Sequence, residues 1–244
     1  MRIAAALAAG TALLLGPVAH AAPPVPVGPT DTRPAALPLP ARMADTGGGT
    51  QLITAVAPAP GSTTGTVTWW DRRAGRWFEA GSAPARFGAH GLAEGTTRVQ
   101  GTSTTPAGLY ALPYAFGIQK APAGTAFRYK RVTPQSWWCQ DNASTRYNRW
   151  VEPLPADCAP GEAEHLVSYA AQYAYALVVG FNYDRPVRGR GAGIFLHVNG
   201  RGATAGCVSV PERDMRRILT WADPHRHPHI AIGTRSGALD VTAY

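Results

Sequence analysis

The chain is poor in charge: only 16% of its 244 residues are Asp, Glu, Lys or Arg. Lys and Arg outnumber Asp and Glu by 23 to 15, a formal net charge of +8. The basic residues are scattered, and no run alternates basic with aromatic residues as a nucleic-acid groove does, so nucleic acid is not an expected partner. The excess charge reads as solubilising, in surroundings that are themselves anionic. A long apolar run occurs only at the N-terminus, and no later segment reads as a membrane span. Metal-ligand spacing is also missing. His225, His227 and His229 alternate in "HRHPH" with no acidic or thiol ligand in the run, and read as a solvated loop. Cysteine is scarce and odd in number: Cys139, Cys158 and Cys207 cannot all pair with one another.

The N-terminus has a short positive start at Arg2, the apolar "IAAALAAGTALLLGPVA", and the small-residue pattern Ala19–His20–Ala21. This is the pattern of a secretory signal peptide, with cleavage expected after Ala21. No cysteine follows that site at once, so nothing there supports a lipid anchor, and no membrane attachment is expected after cleavage. "APPVPVGPTDTRPAALPLPARMADTGGG" is rich in Pro and Gly without an apolar face. Residues 22–50 are therefore expected to form an extended linker, and 51–244 a folded domain. Export favours disulfides. Sequence does not fix their connectivity, but Cys139 and Cys158 share one irregular stretch, and pairing them would leave Cys207 free.

Within the domain, "QLITAVA" reads as a strand and "TGTVTWWDRRAGRWFEAG" as a hairpin turning at "DRRAG". Trp69, Trp70, Trp77 and Phe78 read as hairpin packing, with a sugar-stacking platform as the rival reading. Thr105–Pro106–Ala107–Gly108 reads as a turn before the strand "LYAL". "AFRYKRV", "EHLVSYA", "YALVVGF", "AGIFLH", "HIAIGT" and "ALDVTAY" read as further short strands, and 137–161 as an inserted loop. In "SVPERDMRRILTWADP", Met215, Ile218, Leu219 and Ala222 fall at helical spacing. Ser209 is expected as the N-cap, Glu212 completes a capping box, and Pro224 ends the helix. The sum is a mainly β, β-rich α+β domain with one main helix after Cys207.

A nucleophilic cysteine needs a base or cation, since the thiolate reacts. His197 closes the apolar run "GIFLH", and the flexible "VNGRGATAG" separates it from Cys207. A loop of that length can bring sulfur and imidazole together, and an imidazolium there would lower the thiol pKa into the range of roughly 3.5–7.5. Gly206 permits a tight turn, and the Cys207 amide can face a developing oxyanion. The order is strand, histidine, loop, cysteine, helix.

"HVNGRGATAGCVSV" resembles the active-site motif of the L,D-transpeptidases, the YkuD-type catalytic domain, in which a histidine precedes Ser/Thr–x–Gly–Cys. The matching positions are His197, Thr204, Gly206 and Cys207, and "TTPAGLYAL" resembles the family's upstream Thr–Pro–x–Gly strand. The resemblance runs over residues 51–234. It departs in the short His-to-Cys spacing, in Ala205 where a basic residue or histidine is common, and in Ser209 where an arginine often stands.

The resemblance implies a YkuD-like β-sandwich or barrel. It implies an acyl transfer in which Cys207 attacks a peptidoglycan tetrapeptide stem and His197 moves the protons. The Gly206 and Cys207 amides would hold the oxyanion. The imidazole would be oriented by the Val198 carbonyl or by Asn199. Thr204, Arg201 and His165 are candidates for substrate contact, with Arg190 beside the motif. The implied partners are stem peptides and carbapenem-type inhibitors, without metal or organic cofactor, in an exported protein on the wall side of a bacterial envelope. The implied product is a 3→3 cross-link in cell wall biogenesis. The rivals are an L,D-carboxypeptidase that uses water as acceptor, and a wall-binding module without catalysis.

Overall fold

Seven residues of low polarity, "QLITAVA", form the first strand, β1 (Gln51–Ala57), buried along nearly its whole length. In this computed structural model, which describes residues 36–244, β1 pairs antiparallel with β2 (Thr64–Arg73) and parallel with the last strand. β2 turns back into β3 (Arg76–Arg86) through Ala74 and Gly75, both with positive φ (46° and 77°). Positive φ at both central residues lets a two-residue turn follow the twist of the strands.

The chain continues through β4 (Leu92–Glu94), β5 (Thr105–Ala111), β6 (Ala115–Gly117), β7 (Tyr129–Arg131), β8 (Trp137–Cys139), β9 (Arg149–Val151) and β10 (Ala163–His165). It closes with β11 (Ala176–Val178), β12 (Phe195–Val198), β13 (Val208–Val210), helix α1 (Glu212–Trp221) and β14 (His229–Thr234). Eleven strands form one sheet in the order β4-β5-β14-β1-β2-β3-β13-β12-β11-β6-β7, and β10-β8-β9 form a second. The domain is mainly β with one main helix, of the β-sandwich type expected. Among the described residues no helix is long and apolar enough to cross a membrane.

α1 lies against the sheet through Met215, Ile218, Leu219 and Ala222, all fully buried in the larger core cluster. Fully burying such side chains stabilises by roughly 1.5–3 kcal/mol each for the large ones. A second cluster gathers Phe116, Trp138, Tyr173, Phe195 and Cys207. Phe195 makes edge-to-face contacts with Phe116, Trp138 and Tyr173 at 5.0, 4.8 and 5.6 Å.

Several local expectations are corrected. Ser209 does not cap α1. It lies in β13, opposite His197, and its hydroxyl donates to Asn199 Oδ1 at 2.8 Å; the cap position is Pro211, with no side-chain bond. Thr105–Gly108 is not a turn. Thr105, Pro106 and Ala107 pair with β4 and Gly108 with β14, and this pairing overrides the local preference of Thr-Pro-x-Gly. "ALDVTAY" ends in a short 3-10 turn, because Asp240 Oδ1 accepts from the Thr242 amide and hydroxyl, each at 2.9 Å. The 137–161 segment is not a bare loop but carries β8 and β9, closed by a Cys139–Cys158 disulfide. Such a loop closure contributes about 3 kcal/mol. Residues 37–50, expected in the linker, belong to the compact unit: Pro40 is buried, and the Ala44 and Asp45 amides donate to Thr242 and Tyr244 carbonyls. Trp69 and Trp77 are buried in different clusters, so the aromatic residues of the hairpin form no platform. The expected signal peptide, 1–21, lies outside the described residues.

Candidate active site

β12 and β13 are parallel neighbours, with Leu196 opposite Val208 and His197 opposite Ser209. Cys207 immediately precedes β13, so pairing of the two strands brings Cys207 and His197 to the lining of one cavity of about 320 Å³. The intervening loop is held at both ends. Arg86 Nη1 donates to the Gly200 and Gly202 carbonyls at 2.6 and 3.3 Å, and the Thr204 amide donates to the Phe87 carbonyl at 2.8 Å.

Thr204 organises the turn into the cysteine. Its hydroxyl donates to the Cys207 carbonyl at 2.6 Å and accepts from the Gly206 amide at 3.1 Å. The Thr105 hydroxyl adds a second donor to the same carbonyl at 3.3 Å. Gly206 has φ +143°, a region glycine enters readily and L side chains avoid.

Cys207 is free and 8% exposed. Its Sγ donates to the Gly193 carbonyl and accepts from the Phe195 amide, both at 3.4 Å. Burial pushes the thiol up to about 12; the Glu164 carboxyl adds to this, while the Phe195 amide and the Arg98 guanidinium oppose it. His197, 5% exposed, is pushed down to about 4 by burial, against the hydrogen bond to Val198. The resting pair is therefore neutral thiol and neutral imidazole. The ion pair with a lowered thiol pKa expected from sequence is not the resting state, because both groups lie where charge is poorly solvated.

His197 Nδ1 lies 2.7 Å from the Val198 carbonyl oxygen. A carbonyl only accepts, so Nδ1 carries the hydrogen and Nε2 the free lone pair. Asn199 is engaged with Ser209, and its bonded partner is not the ring. Tyr173 packs edge-on against His197 with ring centroids 5.5 Å apart. Its hydroxyl donates to Glu164 Oε1 at 2.6 Å, and Gln140 Nε2 donates to Oε2 at 3.3 Å. Burial raises the Glu164 carboxyl to about 7, with the Tyr173 bond lowering it.

Of the other candidates, Arg201 and Thr204 line the cavity, Arg201 as an exposed residue. Arg190 supplies its carbonyl to Arg98. His165 is turned elsewhere: its ring stacks on Trp137 at 4.0 Å, and Nε2 bonds the Pro134 carbonyl at 2.8 Å. Strand alternation in β10 gives the cavity Glu164 instead. Among the described residues no cluster of three or more His, Cys, Asp or Glu side chains is placed to hold a metal ion. Sequence reading did not single out Arg98, Gln140, Glu164 or Tyr173, all of which line the cavity. The available signal was an alternation: Glu164 sits beside a histidine at a strand start.

Fold and site together define a β-rich domain with a free thiol and an oriented neutral imidazole on adjacent strands at one cavity. The family model of the L,D-transpeptidase catalytic domain (YkuD) matches residues 62–235, and the chain belongs to that family. Among solved structures it is similar to Bd1075 of Bdellovibrio bacteriovorus, at 17% identity and a TM-score of 0.37. That alignment covers 75% of this chain and 48% of the other, about half its length. None of the curated proteins matches the chain.

Proposed function

We propose that the protein is an exported peptidoglycan L,D-transpeptidase that forms 3→3 cross-links through a thioester on Cys207. The observation that carries this reading is the free Cys207 beside His197, whose Nδ1 is fixed on the Val198 carbonyl so that Nε2 is the acceptor. Because both groups rest neutral, Sγ attacks the carbonyl of the stem's third residue while its proton passes to Nε2. The C–N bond to the terminal D-alanine breaks, and the imidazolium returns the proton to the leaving amine. The side-chain amine of a diamino acid in a second stem then attacks the thioester and gives its proton to His197. The C–S bond breaks, and Cys207 is reprotonated. The Gly206 amide is committed to Thr204 Oγ1, so of the two amides expected at the oxyanion we assign Cys207's. The net charge of +8 suits an anionic wall, and export rests on the N-terminal signal pattern.

The test is intact-mass spectrometry after incubation with disaccharide-tetrapeptide. The expected product is a cross-linked dimer lacking one D-alanine, with a carbapenem adduct on wild type but not on Cys207→Ala. Tripeptide alone would make the protein an L,D-carboxypeptidase. Absence of both adduct and turnover would leave a wall-binding module.

A further inference from the structure

Arg98 is the buried cationic side chain of the cavity wall, and the mechanism leaves it unused. It is 6% exposed. Nε donates to the Thr104 carbonyl at 2.7 Å and Nη1 to the Arg190 carbonyl at 3.1 Å. Both acceptors are neutral, and among the described residues no Asp or Glu forms a salt bridge with it. Room for the guanidinium is made by two glycines. A Cβ at Gly191 would lie 1.9 Å from Nη1, and one at Gly206 would lie 2.9 Å from Nη2. Nη2 thus reaches the backbone that presents Cys207, beside a thiol and an imidazole that rest uncharged.

A buried cation with no counter-charge is costly, and an anion entering the cavity relieves that cost. The wall position selects which anion. In an acyl donor cut one residue from its end, the terminal carboxylate lies a single residue past the carbonyl that Sγ attacks. Resting on the transpeptidase reading, we propose that Arg98 is the specificity-determining residue that binds the C-terminal carboxylate of the donor stem. It restricts attack to stems ending one residue after the scissile bond. A guanidinium binds a carboxylate through charge-assisted hydrogen bonds with a geometry an amide or longer peptide end does not reproduce.

The test compares a disaccharide-tetrapeptide with the same stem ending in a carboxamide, following release of D-alanine or D-alaninamide by mass spectrometry. Wild type is expected to process the carboxylate donor with a kcat/KM about 10- to 100-fold higher, mainly through KM. Arg98→Gln is expected to bring the kcat/KM ratio of carboxylate to carboxamide donor down to about 1, the carboxylate donor losing the roughly 10- to 100-fold advantage it has in wild type. Arg98→Lys restores part of the preference. Equal use of both donors by wild type overturns this inference alone, and needs no variant to fold. So does an equal loss on both donors in Arg98→Gln with the wild-type ratio kept, which would make Arg98 a support of the cavity wall and not a reader of the carboxylate. Turnover of neither donor overturns the transpeptidase reading and this inference with it.

Discussion

The Thr204 hydroxyl bridges the turn that presents Cys207: it gives its hydrogen to the Cys207 carbonyl at 2.6 Å and receives one from the Gly206 amide at 3.1 Å. Thr204→Val removes both bonds at nearly constant shape. Each is worth about 1 kcal/mol, so carbapenem acylation is expected to slow by about 30-fold, with Thr204→Ser restoring it. A stopped-flow acylation rate equal to wild type in Thr204→Val would show that the turn is held by Thr105 alone.

The resting charges set a pH dependence. His197 is neutral down to about 4, so it remains a proton acceptor throughout the neutral range and loses that role as pH falls through about 4. Acylation is therefore expected to be flat from about pH 6 to pH 8 and to fall only in acid. Direct alkylation by iodoacetamide follows thiolate alone. With the thiol pushed up to about 12, its rate rises through pH 10 without a plateau. A plateau near neutrality would mean a resting ion pair.

Glu164 makes stability fall with rising pH. Its folded pKa, about 7, lies above the ordinary 4.5, so folding favours the protonated form. That contribution is fully present below 4.5 and is lost as pH rises through about 7. Glu164→Gln keeps the neutral shape. It is expected to match wild type in unfolding free energy below pH 4.5 and to exceed it above pH 7 by about 1 kcal/mol, after screening by solvent. Removing the carboxylate also raises the alkylation rate of Cys207 above neutrality, since that charge opposes the thiolate. Thermal scans across this range read the first effect and iodoacetamide kinetics the second.

Gly206→Ala meets two obstacles at once. The backbone sits at φ +143°, and the new methyl carbon would lie 2.9 Å from both Arg98 Nη2 and the Thr104 carbonyl. The expected cost is about 1–3 kcal/mol, with carbapenem labelling lost while the far-UV dichroism of the β domain is retained. Normal labelling would show that the turn can adopt another path.

The free thiol and the histidine that share the cavity were legible because one strand, one loop and the start of the next strand carry them in sequence order. β1 was likewise legible as a continuous apolar run, and the hairpin through its Ala-Gly turn. Arg98 and Glu164 were not. Arg98 comes from the polar stretch before β5, and Glu164 from the inserted sheet, and only long-range pairing brings either to the cavity. The neutral thiol was equally hidden, because sequence places a histidine near a cysteine but does not state how little water reaches them. The Thr105–Gly108 turn was misread for a related reason: of the strands it pairs with, β14 lies far away in the chain, and β4 is a three-residue strand with no alternating pattern to announce it.

The Cys139–Cys158 bond has a consequence for timing. Cys139 pairs with Ala163 across β8 and β10, and each is followed by a residue of the cavity wall, Gln140 and Glu164, joined to one another at 3.3 Å. The cross-link thus clamps the part of the cavity wall that carries Gln140 and Glu164. In a freshly made, reduced chain that clamp is absent until Cys139 and Cys158 are oxidised.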